Sequence, residues 1–248
     1  MLSPVHHRLT RARLLKLLSE FEMARAKGTS TYLPPGIGAR EIEAALGLAL
    51  DFPAERSDVA ARVAKSQTGA VVLWGDAIRC VILPPFPIPD RVSYSGYEVE
   101  PLRALLTRDH VVALVLVRLG LYALGVFEGD RLLSSKVGSG LIHSKHSKGG
   151  SSQRRFERGR EKQMEQFFER ICRRARERIE PFLDRVDYLV YGGERSTVLS
   201  FRRQCGFLRA LDDRVVGRLL NVREPKQASL EAAIDDAWTS DVFEWEEA

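Results

Sequence analysis

The sequence predicts a mixed α/β (α+β) chain in two units: an N-terminal α/β domain at residues 1–95 and a mixed-sheet domain at residues 96–240, with an acidic tail at 241–248. Three observations carry that prediction. Five prolines crowd residues 84–101, PPFPIPDRVSYSGYEVEP, and separate two ordered stretches. Beyond them, His110–Leu119, Tyr122–Phe127 and Arg131–Val137 read as a three-strand meander that turns at Gly129–Asp130. An apolar stripe of Met164, Phe167, Phe168, Ile171, Cys172, Ala175 and Ile179 then recurs at helical spacing, so one long helix is expected from about Gln153 to Ile179, closed by Pro181.

Taken in order, the chain opens with a helix over Leu9–Arg25, where leucine, phenylalanine and methionine share one face. GTSTYLPPG (Gly28–Gly36) reads as a short strand ended by Pro34–Pro35. Helices follow at AREIEAALGLAL and at SDVAARVAKSQ, the second with Ser57 as its N-cap. GAVVLWGDAIRCVILPP is a hairpin turning near Gly75–Asp76. After the long helix come a strand at VDYLVY, a helix at Arg195–Gln204, a strand at VVGRLLNV and a helix at QASLEAAIDDAW. Three strands, then alternating helices and strands, fit an RNase H-like mixed sheet flanked by helices. The tail after Thr239 is expected to fray.

Composition narrows the function. With 248 residues, 44% hydrophobic and 29% charged, the chain is an ordinary globular protein, large enough for one big core or two modest ones. The basic start has leucines at helical spacing and no small-residue cleavage site, so it does not read as a leader. The longest apolar run, VVALVLVRLGLYALGVF, is broken by Arg118 and Gly120; no bilayer span is expected. Three scattered cysteines, Cys80, Cys172 and Cys205, predict reduced thiols and a cytoplasmic location.

Charge is unevenly spread. From His143 to Arg178 twelve Lys and Arg face five Glu, a local balance of +7 within a total of +5, so the rest of the chain is net −2. Interleaved glutamates would suit a solvated helix face. Such a local excess, beside a loop rich in glycine, serine, histidine and lysine (Gly138–Ser152), points instead to a phosphate-rich partner.

Several chemistries are excluded for this loop. A nuclease on an RNase H-like sheet needs a carboxylate on its first central strand to hold a metal, and HVVALVLVRLG has none. His143 and His146 form an HxxH pair without a third ligand, so no metal and no cofactor is expected; they contact RNA or serve as polar loop residues. Ser151 or Ser152 with His146 would be a nucleophile and base on a poor platform for a triad. Glutamine is neither acid nor base near neutral pH. A loop built on Gly149, Gly150 and Gln153 makes chemical sense where a partner supplies the electrostatics and holds the ester, while the protein places a hydrogen-bonding group and a water.

KHSKGGSSQRRFERGREK resembles the GGQ segment of the eukaryotic and archaeal class-one peptide release factors. Gly149–Gly150 and Arg155–Phe156 keep that family's spacing, with Arg158 and Arg160 following. Upstream, GTSTYLPPG, GAVVLWGD and VEPLRALL are similar to segments of the same factors' first domain and of the start of the second. Ser151 stands where the family's catalytic glutamine would be, and Gln153 comes two residues later. That displacement resembles the Vms/ANKZF-type release factor-like (VLRF) branch and its actinobacterial peptidyl-tRNA hydrolases. No NIKS-like stop-codon motif occurs in the first domain, and the chain ends where a third, partner-binding domain would begin.

The resemblance implies a second domain like the middle domain of the release factors. Its implied activity is codon-independent hydrolysis of peptidyl-tRNA stalled on the large ribosomal subunit, a quality-control role that a monomer suffices for. Gly149, Gly150 and Gln153 would be catalytic. His143, Lys145, His146, Lys148, Ser151, Ser152, Arg154, Arg155, Arg158 and Arg160 would contact rRNA and tRNA. The alternative from another class is a non-catalytic, pelota-like ribosome-binding rescue factor; a third reading is a hydrolase acting away from the ribosome.

Overall fold

A computed structural model describes residues 4–24, 26–47, 60–142 and 152–245. By its internal contacts the chain divides into two units, residues 1–108 together with 236–248, and residues 109–235. The division therefore falls about one short helix later than the proline-based boundary at 95/96.

The first unit is a six-stranded antiparallel sheet in the order β1-β10-β4-β3-β2-β5. Its strands are β1 (Val5–Leu9), β2 (Gly28–Leu33), β3 (Ala70–Gly75), β4 (Arg79–Leu83), β5 (Val92–Ser95) and β10 (Ser240–Glu244). Side chains alternate across a strand, and here both faces are covered. Val71, Leu73, Ile82 and Val242 face a core closed by Leu14, Leu18 and Phe21 of α1 (Arg11–Met23) and by Leu102 and Leu106 of α3 (Glu100–Thr107). Val72, Trp74, Val81 and Phe243 face the opposite core, closed by Ile42 and Ala45 of α2 (Ala39–Gly47) and by Val63 in a helical stretch at 60–65.

Two sequence expectations are corrected here. The opening helix is preceded by strand β1. The segment after Thr239 does not fray: Val242 pairs with Ile82 on one side and His7 on the other, with no exposure.

The second unit is a four-stranded mixed sheet in the order β8-β7-β6-β9, comprising β6 (Val111–Arg118), β7 (Leu121–Glu128), β8 (Arg131–Ser139) and β9 (Tyr188–Gly193). The three-strand meander is present as expected, and β9 runs parallel to β6. A reciprocal pair fixes where β6 and β9 start: the Val111 N–H donates to the Asp187 carboxylate at 2.8 Å, and the Asp187 N–H donates to the Val111 carbonyl at 2.8 Å. One face is covered by α4 (Ser152–Ile179) and α5 (Arg195–Gln204), through Phe167, Phe168, Ile171, Ala175, Val198 and Phe201. On the other face Leu230 of α6 (Gln227–Ala237) lies against Gly125 of β7.

VVGRLLNV is not a strand. It makes isolated bridges from Val215 to Leu189 and from Leu220 to Gly192, after a 3-10 stretch at Gly206–Arg214. The expectation of three reduced thiols is likewise overturned. Cys172 on α4 and Cys205, the residue that caps α5, form a disulfide with Cα atoms 5.3 Å apart. Cys80 is the free thiol and is buried.

Candidate functional site

The helix that follows the basic loop in sequence belongs to the second unit. α4 is long because strong helix formers alternate with an apolar stripe, and that stripe is buried where the sheet lies beneath it: Phe167, Phe168, Ile171, Ala175 and Ile179 are all 2% exposed or less. The helix begins at Ser152, so Gln153, Arg154 and Arg155 fall in its first turn. Arg158 is exposed and Arg160 partly buried. His143, Lys145, His146, Lys148, Gly149, Gly150 and Ser151 lie outside the described residues.

Where the chain leaves the sheet for this loop, its geometry is tightly set. β8 ends at Ser139, whose carbonyl accepts a hydrogen bond from Arg170 Nη1 at 3.1 Å. The next N–H, of Gly140, donates to the Gly120 carbonyl at 2.9 Å. Leu141 follows, 79% exposed, while Ile142 packs against the core.

A second polar cluster lies at the carboxyl ends of the parallel strands. Glu194, which precedes α5, accepts hydrogen bonds from Ser196 Oγ and Thr197 Oγ1, each at 2.8 Å. Those two hydroxyls, with Arg118 and Arg160 further out, hold its carboxyl below the usual glutamate range. Arg118 Nη1 also donates to the Arg223 carbonyl at 3.1 Å. The apolar stretch Val112–Val117 of β6 is completely buried, and carries no carboxylate to hold a metal where a nuclease would need one.

Sequence reasoning missed Arg170 as the residue of the loop-bearing helix that binds the end of β8, and missed Glu194 with Arg118 as a polar cluster at the strand ends. Arg118 alone left a trace, as the charge that interrupts an apolar run. Arg170 looks like any arginine of a solvated helix face, since the strand end it binds is far away in sequence. No helix among the described residues is long and apolar enough to cross a membrane.

Comparison with known proteins finds similarity to release factors. The chain is 26% identical to peptide chain release factor subunit 1 of Archaeoglobus fulgidus over 159 residues, 63% of this chain and 39% of the relative. It is 24% identical to the factor of the same name from Aeropyrum pernix over 200 residues, 70% of this chain and 53% of the relative. For that of Methanopyrus kandleri the identity is 27% over 182 residues, 69% and 44% of the two chains. This chain thus spans about half the length of these curated relatives, or less. Among solved structures, the crystal structure of the archaeal translation termination factor aRF1 aligns with a TM-score of 0.41 at 17% identity, covering 93% of this chain and 73% of that one. Pelota of Archaeoglobus fulgidus aligns with a TM-score of 0.27 at 10% identity, covering 95% and 64%.

The model of the Actinobacteria/chloroflexi VLRF1 release factor family matches residues 110–243, more than half of the chain. The chain belongs to that family.

Proposed function

We propose that this protein is a codon-independent peptidyl-tRNA hydrolase, releasing nascent peptides from stalled peptidyl-tRNA on the large ribosomal subunit. The observation that carries the reading is the Gly149–Gly150…Gln153 segment leading into the first turn of α4, inside the region matched by a release factor family. The charge pattern supports it, because the net positive excess of the chain is concentrated there.

In this reading the glycines let the backbone approach the tRNA 3′ end closely. Gln153, through its side chain or its backbone N–H, orients water at the ester carbonyl. The rRNA and the tRNA 2′-OH supply the remaining stabilisation, which answers the absence of an acid or base in the segment. His143, Lys145, His146, Lys148, Ser151, Ser152, Arg154, Arg155, Arg158 and Arg160 contact phosphate and ribose, positioning the segment without reading sequence. By this reading the protein works in the cytoplasm, where its ribosomal partner is, as a monomer, with no metal or cofactor; with Cys172 and Cys205 joined, the location rests on that partner and not on reduced thiols.

The alternative is a non-catalytic, pelota-like rescue factor; what favours it is that, by the resemblance to release factors, Ser151 and not a glutamine stands at their catalytic position. Release of labelled peptide from large subunits carrying peptidyl-tRNA separates the two. Wild type is expected to release and Gln153→Ala to be slowed by about 100-fold, the scale of losing a group that places the reacting water. Equal rates would remove Gln153 from the mechanism; binding by both without release would establish the alternative.

A further inference from the structure

We propose that Arg170, Phe167 and Tyr122 are positioning residues for peptide release, a reading that rests on the proposed function: they fix the point at which the chain departs for Gly149, Gly150 and Gln153. Three consecutive residues at the end of β8 are each held by a different contact. Gly138 sits against the Tyr122 ring and hydroxyl so closely that any Cβ would collide with them. The Ser139 carbonyl is bound by Arg170 at 3.1 Å. A Cβ on Gly140 would come within 2.5 Å of the buried Phe167 ring. The Tyr122 and Phe167 rings touch edge to face with centroids 6.1 Å apart, and the Tyr122 hydroxyl also interacts with the Arg174 guanidinium. The strand end is therefore gripped from β7 and from α4 together.

α4 is also the helix into which the loop returns. It begins at Ser152, fifteen residues before Phe167, which is roughly 22 Å of helix. Both flanks of the catalytic segment are consequently referred to one rigid element, the arrangement that precise placement of a reacting group requires. Arg170 is exposed, and water would serve the Ser139 carbonyl equally well as a hydrogen-bond donor. Stability alone gives little reason for that contact, whereas holding a loop in register does.

The test is single-turnover release from large subunits carrying labelled peptidyl-tRNA, as a function of protein concentration. Arg170→Ala is expected to lower the rate at saturation by about tenfold, because a small misplacement is costly to an oriented reaction, while the half-saturating concentration stays within about twofold. Arg170→Lys, whose ammonium can reach the same carbonyl, recovers most of the rate. Arg173→Ala, which removes an exposed charge from the same helix, leaves it unchanged. Amide exchange at Gly140 is expected to quicken in Arg170→Ala and not in Arg173→Ala. With wild type active, an Arg170→Ala protein that matches its saturated rate, or that shifts only the half-saturating concentration, overturns the proposal. Unchanged exchange at Gly140 overturns it too. A wild type that binds subunits and releases nothing defeats the release reading, and the positioning role falls with it.

Discussion

Cys172, on the inner side of the loop-bearing helix, is covalently joined to Cys205, the residue that ends the neighbouring helix α5. The bond closes a ring across a sequence separation of 33 and so removes freedom from the unfolded chain. Chain-closure entropy for a ring of that size is about 3–4 kcal/mol. The Cys172→Ser/Cys205→Ser protein should lose stability of that order in urea unfolding. Thiol titration of the unreduced, denatured wild type should return Cys80 alone; three reactive thiols would remove the disulfide from the structure of the protein in solution. In the native state Cys80 should resist alkylation, since burial pushes its thiol pKa far above the usual range.

The linked pair also shows where sequence reading stops. Spacing along the chain contains no information about two cysteines on different helices. By contrast β6 and β7 were legible because their apolar runs end in turns at Leu119–Gly120 and Gly129–Asp130, and α4 because its stripe repeats over many turns. β1 left no signal: VHHRL sits at a sheet edge, mostly exposed, and has no apolar alternation to read. β10 was hidden for the opposite reason, since Val242 and Phe243 face two different cores and are flanked by acidic residues. VVGRLLNV has the composition of a strand, yet Gly217 and Arg218 interrupt it and only two bridges form. For the segment proposed to be catalytic, the motif was legible as a string; the residues packed on the strand before it belong to α4 and β7.

The cluster around Glu194 makes stability depend on acid in a defined direction. Its folded pKa lies below the ordinary glutamate value of about 4.3. The stabilisation is therefore complete above that value and disappears as pH falls through the folded pKa. Glu194 is exposed, so the benefit is modest, under about 1 kcal/mol. Unfolding of wild type and Glu194→Gln should differ by that amount at pH 7 and converge as the pH falls through the folded pKa; a gap that widens on acidification would contradict the assignment.

Association with large subunits should weaken steeply with salt if the basic segment binds phosphate. Arg158 is an exposed member of that segment. Replacing it by alanine should reduce the slope of log affinity against log salt by about 1, roughly one phosphate contact. Filter binding at several salt concentrations measures it, and parallel lines for the two proteins would take Arg158 out of the interface.

Val242 has no exposure and lies in a strand paired on both sides. A charge there is unpaired and dry, at a cost of several kcal/mol. Val242→Asp should unfold the first unit at much lower urea than wild type. Tryptophan fluorescence isolates the effect, because Trp74, Trp238 and Trp245 all belong to that unit. A fluorescence midpoint equal to that of wild type would mean the strand is dispensable.

The place of β10 has a consequence for how the protein is made. Among the described residues β1 pairs with β10 alone, and the edge of β4 that β10 covers presents Cys80, Val81 and Ile82. During synthesis these segments are finished long before residue 240 exists, and residues 109–235 are produced in between. The later-made unit can thus complete its sheet first, while the earlier-made one waits with an unpaired apolar edge, the kind of surface that recruits other chains. Newly synthesised protein is most prone to aggregate during that interval, and interrupted translation would leave it permanently there.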